Sequence, residues 1–212
     1  MDHIQDLGRR IELVPTDPHG DGITLSLYET RDPAGRPAFR VHSYSPRPVT
    51  PARLAFVAAA MRALAGLESV PGDETLLRFP CGAEHRAACR RAFLEAAKLP
   101  SGAPPAPRPL AVEDKKAGPV AARRAGEGVY ALAGPSEEEA VRTRLAAIAQ
   151  GLVKLAEVTP DGDGRVAFAC GRPHDALIGL LLPRALNVRA ALREQEMTAA
   201  RGILAAPSAQ ER

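Results

Sequence analysis

Phe79-Pro-Cys81-Gly82-Ala-Glu-His85 recurs in the second half of the chain as Phe168-Ala-Cys170-Gly171-Arg-Pro-His174. The shared pattern, Phe-x-Cys-Gly-x-x-His, takes up two of the three cysteines and two of the five histidines among 212 residues. Soft metal ligands that repeat together on one spacing point to a duplicated structural unit.

The repeat extends upstream of the motif. Arg53-Leu-Ala matches Arg144-Leu-Ala, and Leu54, Val57, Met61 and Leu64 keep step with Leu145, Ile148, Leu152 and Leu155. Steps of three, four and three residues line one face of an α-helix, so the two segments predict equivalent helices with these positions in the core. Thr50-Pro51 supplies an N-cap and a proline at the first helical position, and Ser136 with Glu139 supplies a capping box. A breaker follows each helix, Val70-Pro-Gly-Asp73 and Thr159-Pro-Asp-Gly162. A short apolar run, 75–79 or 165–169, then reads as a strand ending near the cysteine. A second helix is expected after each Gly, over 83–99 and from 173 onward, with one two-residue gap near Gly66 in the alignment.

Before the first helix, 23–29 and 38–43 flank Asp32-Pro-Ala-Gly-Arg36 and read as a hairpin. The corresponding strands of the second half are 119–123 and 129–132. The expected fold class is therefore α+β, an internal duplication of a β-β-α-β-α unit arranged about a pseudo-two-fold axis, with sheets that pair or pack and helices on one face. The first unit covers 1–99, a Pro-rich linker 100–109, and the second unit 110–204 with an extended C-terminal helix that Pro183 kinks or breaks; 205–212 is a frayed tail.

Composition narrows the function. Aromatic residues make up 4% and Trp is absent, which removes broad stacking platforms for bases or flavins. The net charge of +3 is spread over both halves; Arg86, Arg90 and Arg91, and the pair Arg123-Arg124, read as solvated faces, which argues against nucleic acid. No apolar run is long enough for a membrane span and no signal-peptide pattern opens the chain, so a cytoplasmic protein is expected, whose odd number of cysteines serves as thiols or ligands. The chain carries no Walker A motif, Rossmann glycine fingerprint, nucleophile elbow or His-Glu-x-x-His. Asp161-Gly-Asp163-Gly reads as a turn rather than a calcium loop, lacking the distal glutamate, and Asp17-Pro-His19-Gly-Asp21-Gly as a loop before the first strand.

Two ligands from one loop are too few to hold a metal tightly. If the repeats meet, Cys81, His85, Cys170 and His174 form a Cys₂His₂ set suited to Zn²⁺, in a structural or a catalytic role. A cysteine at a strand end before a helix start is also expected to favour the thiolate. That supports a second reading, a cysteine-dependent enzyme or redox protein with Cys81 or Cys170 as nucleophile and Glu84 or Asp175 orienting the imidazole. In a third, the pattern is architectural and the chain is a non-catalytic module for a protein partner. Cys89 has no counterpart and reads as a buried helix residue. The separation of the Cys81 and Cys170 sulfurs decides whether a shared site exists.

Overall fold

A computed structural model of the chain describes residues 7–156 and 158–190, together with 192, 193, 196 and 197. It is a mixed α+β molecule. In chain order the first half contains β1 (Arg9–Val14), β2 (Leu25–Arg31), β3 (Pro37–His42), α1 (Thr50–Ala65), β4 (Glu68–Val70), β5 (Asp73–Arg78) and α2 (Arg86–Ala97). The second contains β6 (Ala111–Asp114), β7 (Gly118–Gly126), β8 (Val129–Ala133), α3 (Glu139–Ala156), β9 (Thr159–Pro160), β10 (Arg165–Ala167) and α4 (Asp175–Ala185).

The strands form two five-stranded antiparallel sheets, ordered β1-β2-β3-β5-β4 and β6-β7-β8-β10-β9. Each half thus runs β-β-β-α-β-β-α, richer by two strands than the sequence pattern predicts. β1 and β6 extend the expected hairpins, while β4 and β9 run up to or into the segments read as breakers. Of the two arrangements expected for the sheets, pairing is not found: among the described residues the sheets are separate, and the halves meet through their helices, α1 with α4 and α2 with α3.

Alternation along the strands explains the layering. Leu25 and Leu27 of β2, Phe39 and Val41 of β3 and Leu77 of β5 point inward beneath the helices, as do Val120 and Ala122 of β7, Tyr130 and Leu132 of β8 and Val166 of β10. These residues and the helices' inner faces form one continuous apolar core spanning both halves. Val57, Met61, Leu64, Leu145, Ile148, Leu152, Leu155, Phe79 and Phe168 are buried there as expected, and so is Cys89.

Leu54 is the exception, only half-buried, because the helix turns Arg53 to the inside instead. The Arg53 guanidinium, fully buried, donates to both carboxylate oxygens of Asp17 (2.6 and 3.0 Å) and to the Ala97 and Leu99 carbonyls at the end of α2 (2.9 and 2.8 Å). Gly20 permits the loop to close over this pair, since a Cβ there would lie 2.6 Å from Asp17 Oδ2. The second half has a similar clamp. Arg144 donates to Asp114 (2.6 Å) and to the Leu186 carbonyl at the end of α4 (2.9 Å). In each half one arginine on the first helix ties a carboxylate at the end of a strand or in the loop beyond it to the end of the second helix.

Helix ends depart from the expected caps. Val49, not Thr50, is the N-cap of α1, and the buried Thr50 hydroxyl has no hydrogen-bond partner among the described residues. α3 starts at Glu139, with Arg142 N–H donating to Glu138 O, beyond the capping box proposed at Ser136. α2 and α4 start at Arg86 and Asp175, later than predicted. Pro183 lies inside α4, near its end, and helical residues resume at 188–190. The predicted extension to Leu204 and the tail 205–212 lie outside the described residues. The stretch 100–109 carries no helix or strand, in keeping with its prolines. Among the described residues no helix is long and apolar enough to cross a membrane.

Candidate metal centre

The two Cys-Gly-x-x-His loops follow β5 and β10, the fourth strands of their respective sheets in spatial order. In each, the phenylalanine is the last core residue of the strand segment and the chain then turns sharply: Gly82 N–H donates to Phe79 O, and Gly171 N–H to Phe168 O, both at 2.9 Å. The turns require positive φ, 78° at Gly82 and 66° at Gly171, which glycine adopts without a Cβ clash. The chain reaches histidine before the helix starts, so His85 and His174 occupy the N-cap positions of α2 and α4.

This geometry brings each cysteine back onto its own histidine. Cys81 Sγ lies 3.3 Å from His85 Nε2, and Cys170 Sγ 3.2 Å from His174 Nε2. Packing of α1 against α4 and α2 against α3 then brings the two pairs together. Ligand atoms of Cys81, His85, Cys170 and His174 all fall within 4.8 Å of one another. The four sequence-predicted ligands therefore form one Cys₂His₂ cluster able to hold a metal ion.

Beneath the cluster is a floor of crossed rings. Phe79 meets His85 edge-on at 4.9 Å between centroids and His174 at 6.0 Å; Phe168 meets His174 at 4.7 Å and His85 at 5.5 Å. The two imidazoles are 4.5 Å apart and steeply inclined, at 72°. Each phenylalanine thus contacts the histidine of both halves, which fixes both imidazoles without drawing on their ring nitrogens. Phe79 and Phe168 are buried, the histidines are 7% and 8% exposed, and both cysteines are half-buried. The cysteines are thus the more accessible members of the cluster. A cleft of about 490 Å³ opens beside Cys81 and His174, walled by Ala65 and Gly66 at the end of α1 and by Asp175 and Ala176 at the start of α4.

Electrostatics correct one expectation. Burial pushes the Cys81 thiol up, and the neighbouring Cys170 adds to this, against an opposing N–H···S bond from Ala83 (3.4 Å). The predicted thiolate-favouring helix start does not form at Cys81, because α2 begins only after His85. Burial also lowers both histidines; His174 falls to about 4, pushed further by the nearby His85 and partly offset by Asp175. Two neutral imidazoles beside a protonated thiol are the reverse of the thiolate–imidazolium pair that cysteine nucleophiles use. Neutral imidazole is, however, the form that coordinates a metal.

Neither carboxylate proposed to orient an imidazole does so. Glu84 accepts from Arg86 (3.3 Å) at the surface. Asp175 accepts from Arg124 through both oxygens (2.9 and 2.5 Å) and from the Tyr130 hydroxyl (2.7 Å), whose oxygen in turn accepts the His174 backbone N–H (2.7 Å). Asp175 thus holds the backbone of His174 by way of Tyr130. The sequence reading missed Tyr130, although a lone tyrosine in a strand otherwise buried among Ala, Leu and Val signals a hydroxyl that needs a partner. Asp161-Gly-Asp163-Gly is the β9–β10 turn, closed by Asp161 N–H to Arg165 O (3.1 Å). Comparison with family models, with curated proteins and with solved structures finds no match to this chain.

Proposed function

We propose that this chain is a zinc-binding protein in which Cys81, His85, Cys170 and His174 hold one metal ion between two halves related by a pseudo-two-fold axis, descended from a duplicated unit. The observation that carries the reading is the convergence, within 4.8 Å, of a thiol and an imidazole from each half. A tetrahedral ion bonds sulfur at about 2.3 Å and nitrogen at about 2.0 Å, so four donors at this spacing need only small movements to close around it. The shared strand order of the sheets and the α1–α4 and α2–α3 contacts support the two-fold relation.

The donor set favours zinc over the alternatives. Two thiolates with two imidazoles match the borderline softness of Zn²⁺ and not the oxygen preference of calcium or magnesium. A two-iron cluster with mixed ligands places its thiolates on one iron and its imidazoles on the other; here every sulfur lies against an imidazole, which suits a single ion. Four protein ligands fill the tetrahedron, so the metal is structural and fastens the two halves together. The electrostatics around Cys81 weigh against the cysteine-enzyme reading, and no observation favours the interaction module.

Metal analysis of the purified protein tests this. One equivalent of zinc per chain is expected, with loss of metal in Cys81→Ser and in Cys170→Ser; equal metal in all three proteins overturns the proposal.

A further inference from the structure

We propose that the metal centre is also a redox release device, in which a two-electron oxidant of the peroxide class joins Cys81 to Cys170 and expels the ion. The inference rests on the zinc-binding reading and adds how the site is emptied.

The arrangement separates what an oxidant can reach from what it cannot. Cys81 and Cys170 are half-buried and the cleft beside Cys81 gives a small peroxide a path to its sulfur, whereas His174, although it borders the same cleft, and His85 are only 8% and 7% exposed and pack against Phe79 and Phe168. The two sulfurs are no more than 4.8 Å apart. A disulfide at about 2.0 Å requires them to close by at most about 3 Å. The first loop has room for that, since a Cβ placed on Gly82 would meet nothing within 4 Å; in the second the Gly171 backbone packs closely on Gly128, so Cys81 makes most of the movement.

The chemistry balances without a further reactant. Each metal-bound thiolate gives up one electron, the sulfurs form one S–S bond, the O–O bond of hydrogen peroxide breaks, and its two oxygens leave as two hydroxide ions. The metal keeps its charge and departs as Zn²⁺. Disulfide sulfur is a poor ligand, and the two remaining imidazoles are too few to retain the ion. Cys89 takes no part, being completely buried on α2.

The experiment treats zinc-loaded full-length protein, and separately the Cys89→Ser variant, with one equivalent of hydrogen peroxide. A colorimetric chelator follows the metal, and peptide mass mapping under non-reducing conditions follows the thiols. The expected result is a fall from one equivalent of bound zinc to nearly none in both proteins, a Cys81–Cys170 cross-linked peptide, and recovery of zinc binding after dithiothreitol. Retained zinc, a cross-link to Cys89, or separate sulfinic acids with no cross-link overturns the proposal. A metal-free sample run in parallel separates the two readings. Protein that takes up no zinc at all defeats the zinc-binding reading and the release step with it, whereas zinc that binds but stays bound under peroxide defeats only the release device.

Discussion

The loops 79–85 and 168–174 have the same spacing and the same turn, yet they hold their histidines by different means. His85 sits in the left-handed region, φ 42° and ψ 48°, a conformation that costs a residue with a Cβ on the order of 1 kcal/mol or more. His174 adopts φ −134° and ψ 61°, and its N–H is held by the Tyr130 hydroxyl, which Asp175 and Arg124 fix in turn. The strand registers explain the difference. Phe39 faces Leu77 in the first sheet as Tyr130 faces Val166 in the second, and each ring packs against the phenylalanine of its own loop, at 6.2 and 6.0 Å. One hydroxyl separates the two positions. Among the described residues, therefore, one of the two candidate ligand loops has an outer hydrogen-bonded support, while the other is held by packing and a strained backbone.

The arginine clamps differ in the same spirit, and breaking them is expected to give the largest effect. Arg53 and Asp17 have no exposed side-chain surface, whereas the Arg144 side chain is 22% exposed. Removing Arg53 leaves a carboxylate sealed from water, for which a loss of about 3–5 kcal/mol is expected. Arg144→Met should cost less, about 1–3 kcal/mol: Asp114 is only 4% exposed, but it keeps the Lys116 and Ala117 N–H donors, and the partly exposed space that Arg144 leaves opens to water. Urea denaturation of Arg53→Met and Arg144→Met measures both. Equal losses would show that solvent access does not distinguish the clamps.

These clamps also show what was legible in the sequence. The match between Arg53 and Arg144 was visible, but their partners lie 36 and 30 residues away in segments that do not align, so the carboxylates emerge only when the chain folds. The four candidate ligands were legible for the opposite reason: the whole motif is local, with strand end, turn and histidine contained in seven residues whose pattern occurs twice. The α1 and α3 faces could be read from periodicity, except at Leu54, where a buried arginine took the place that hydrophobicity assigns to leucine. β4 and β9, of three and two residues, are too short to show an alternating pattern, and their pairing comes from the neighbouring strand. Thiolate character at Cys81 was misjudged because helix onset depends on the tertiary placement of His85, which periodicity does not report.

A pH series sharpens the comparison of clamps with a smaller effect. The Arg144 guanidinium and backbone N–H groups of Lys116 and Ala117 hold Asp114 at about 2, below an unfolded value of about 3.9. Because the folded value is the lower one, the unfolded chain binds the proton more readily. The stability this group contributes is fully present above about pH 4 and is lost as pH falls toward 2. Urea midpoints measured between pH 5 and 2 should fall more steeply in the parent than in Arg144→Met, in which the guanidinium is gone. Parallel curves would mean that Asp114 gains nothing from Arg144 over this range.

The smallest change tests the contrast between the loops directly. Tyr130→Phe removes one oxygen and gives the second half the residue type that the first half has at Phe39. The apolar packing against Phe168 stays, while the His174 N–H and the Asp175 carboxylate each lose a partner; Asp175 keeps Arg124 and lies near solvent, so the stability loss should be about 1 kcal/mol. The effect on the metal should be larger in proportion, because outer-sphere support typically carries 10- to 100-fold in affinity; about tenfold weaker zinc binding is expected here, since the hydroxyl holds the backbone and not the ring. Competition with a chelator of known affinity, set beside urea midpoints of the metal-free proteins, separates the two quantities. A variant that loses stability but binds zinc as tightly as the parent would show that Tyr130 serves the fold alone. The packing that suffices for His85 would then suffice for His174 as well.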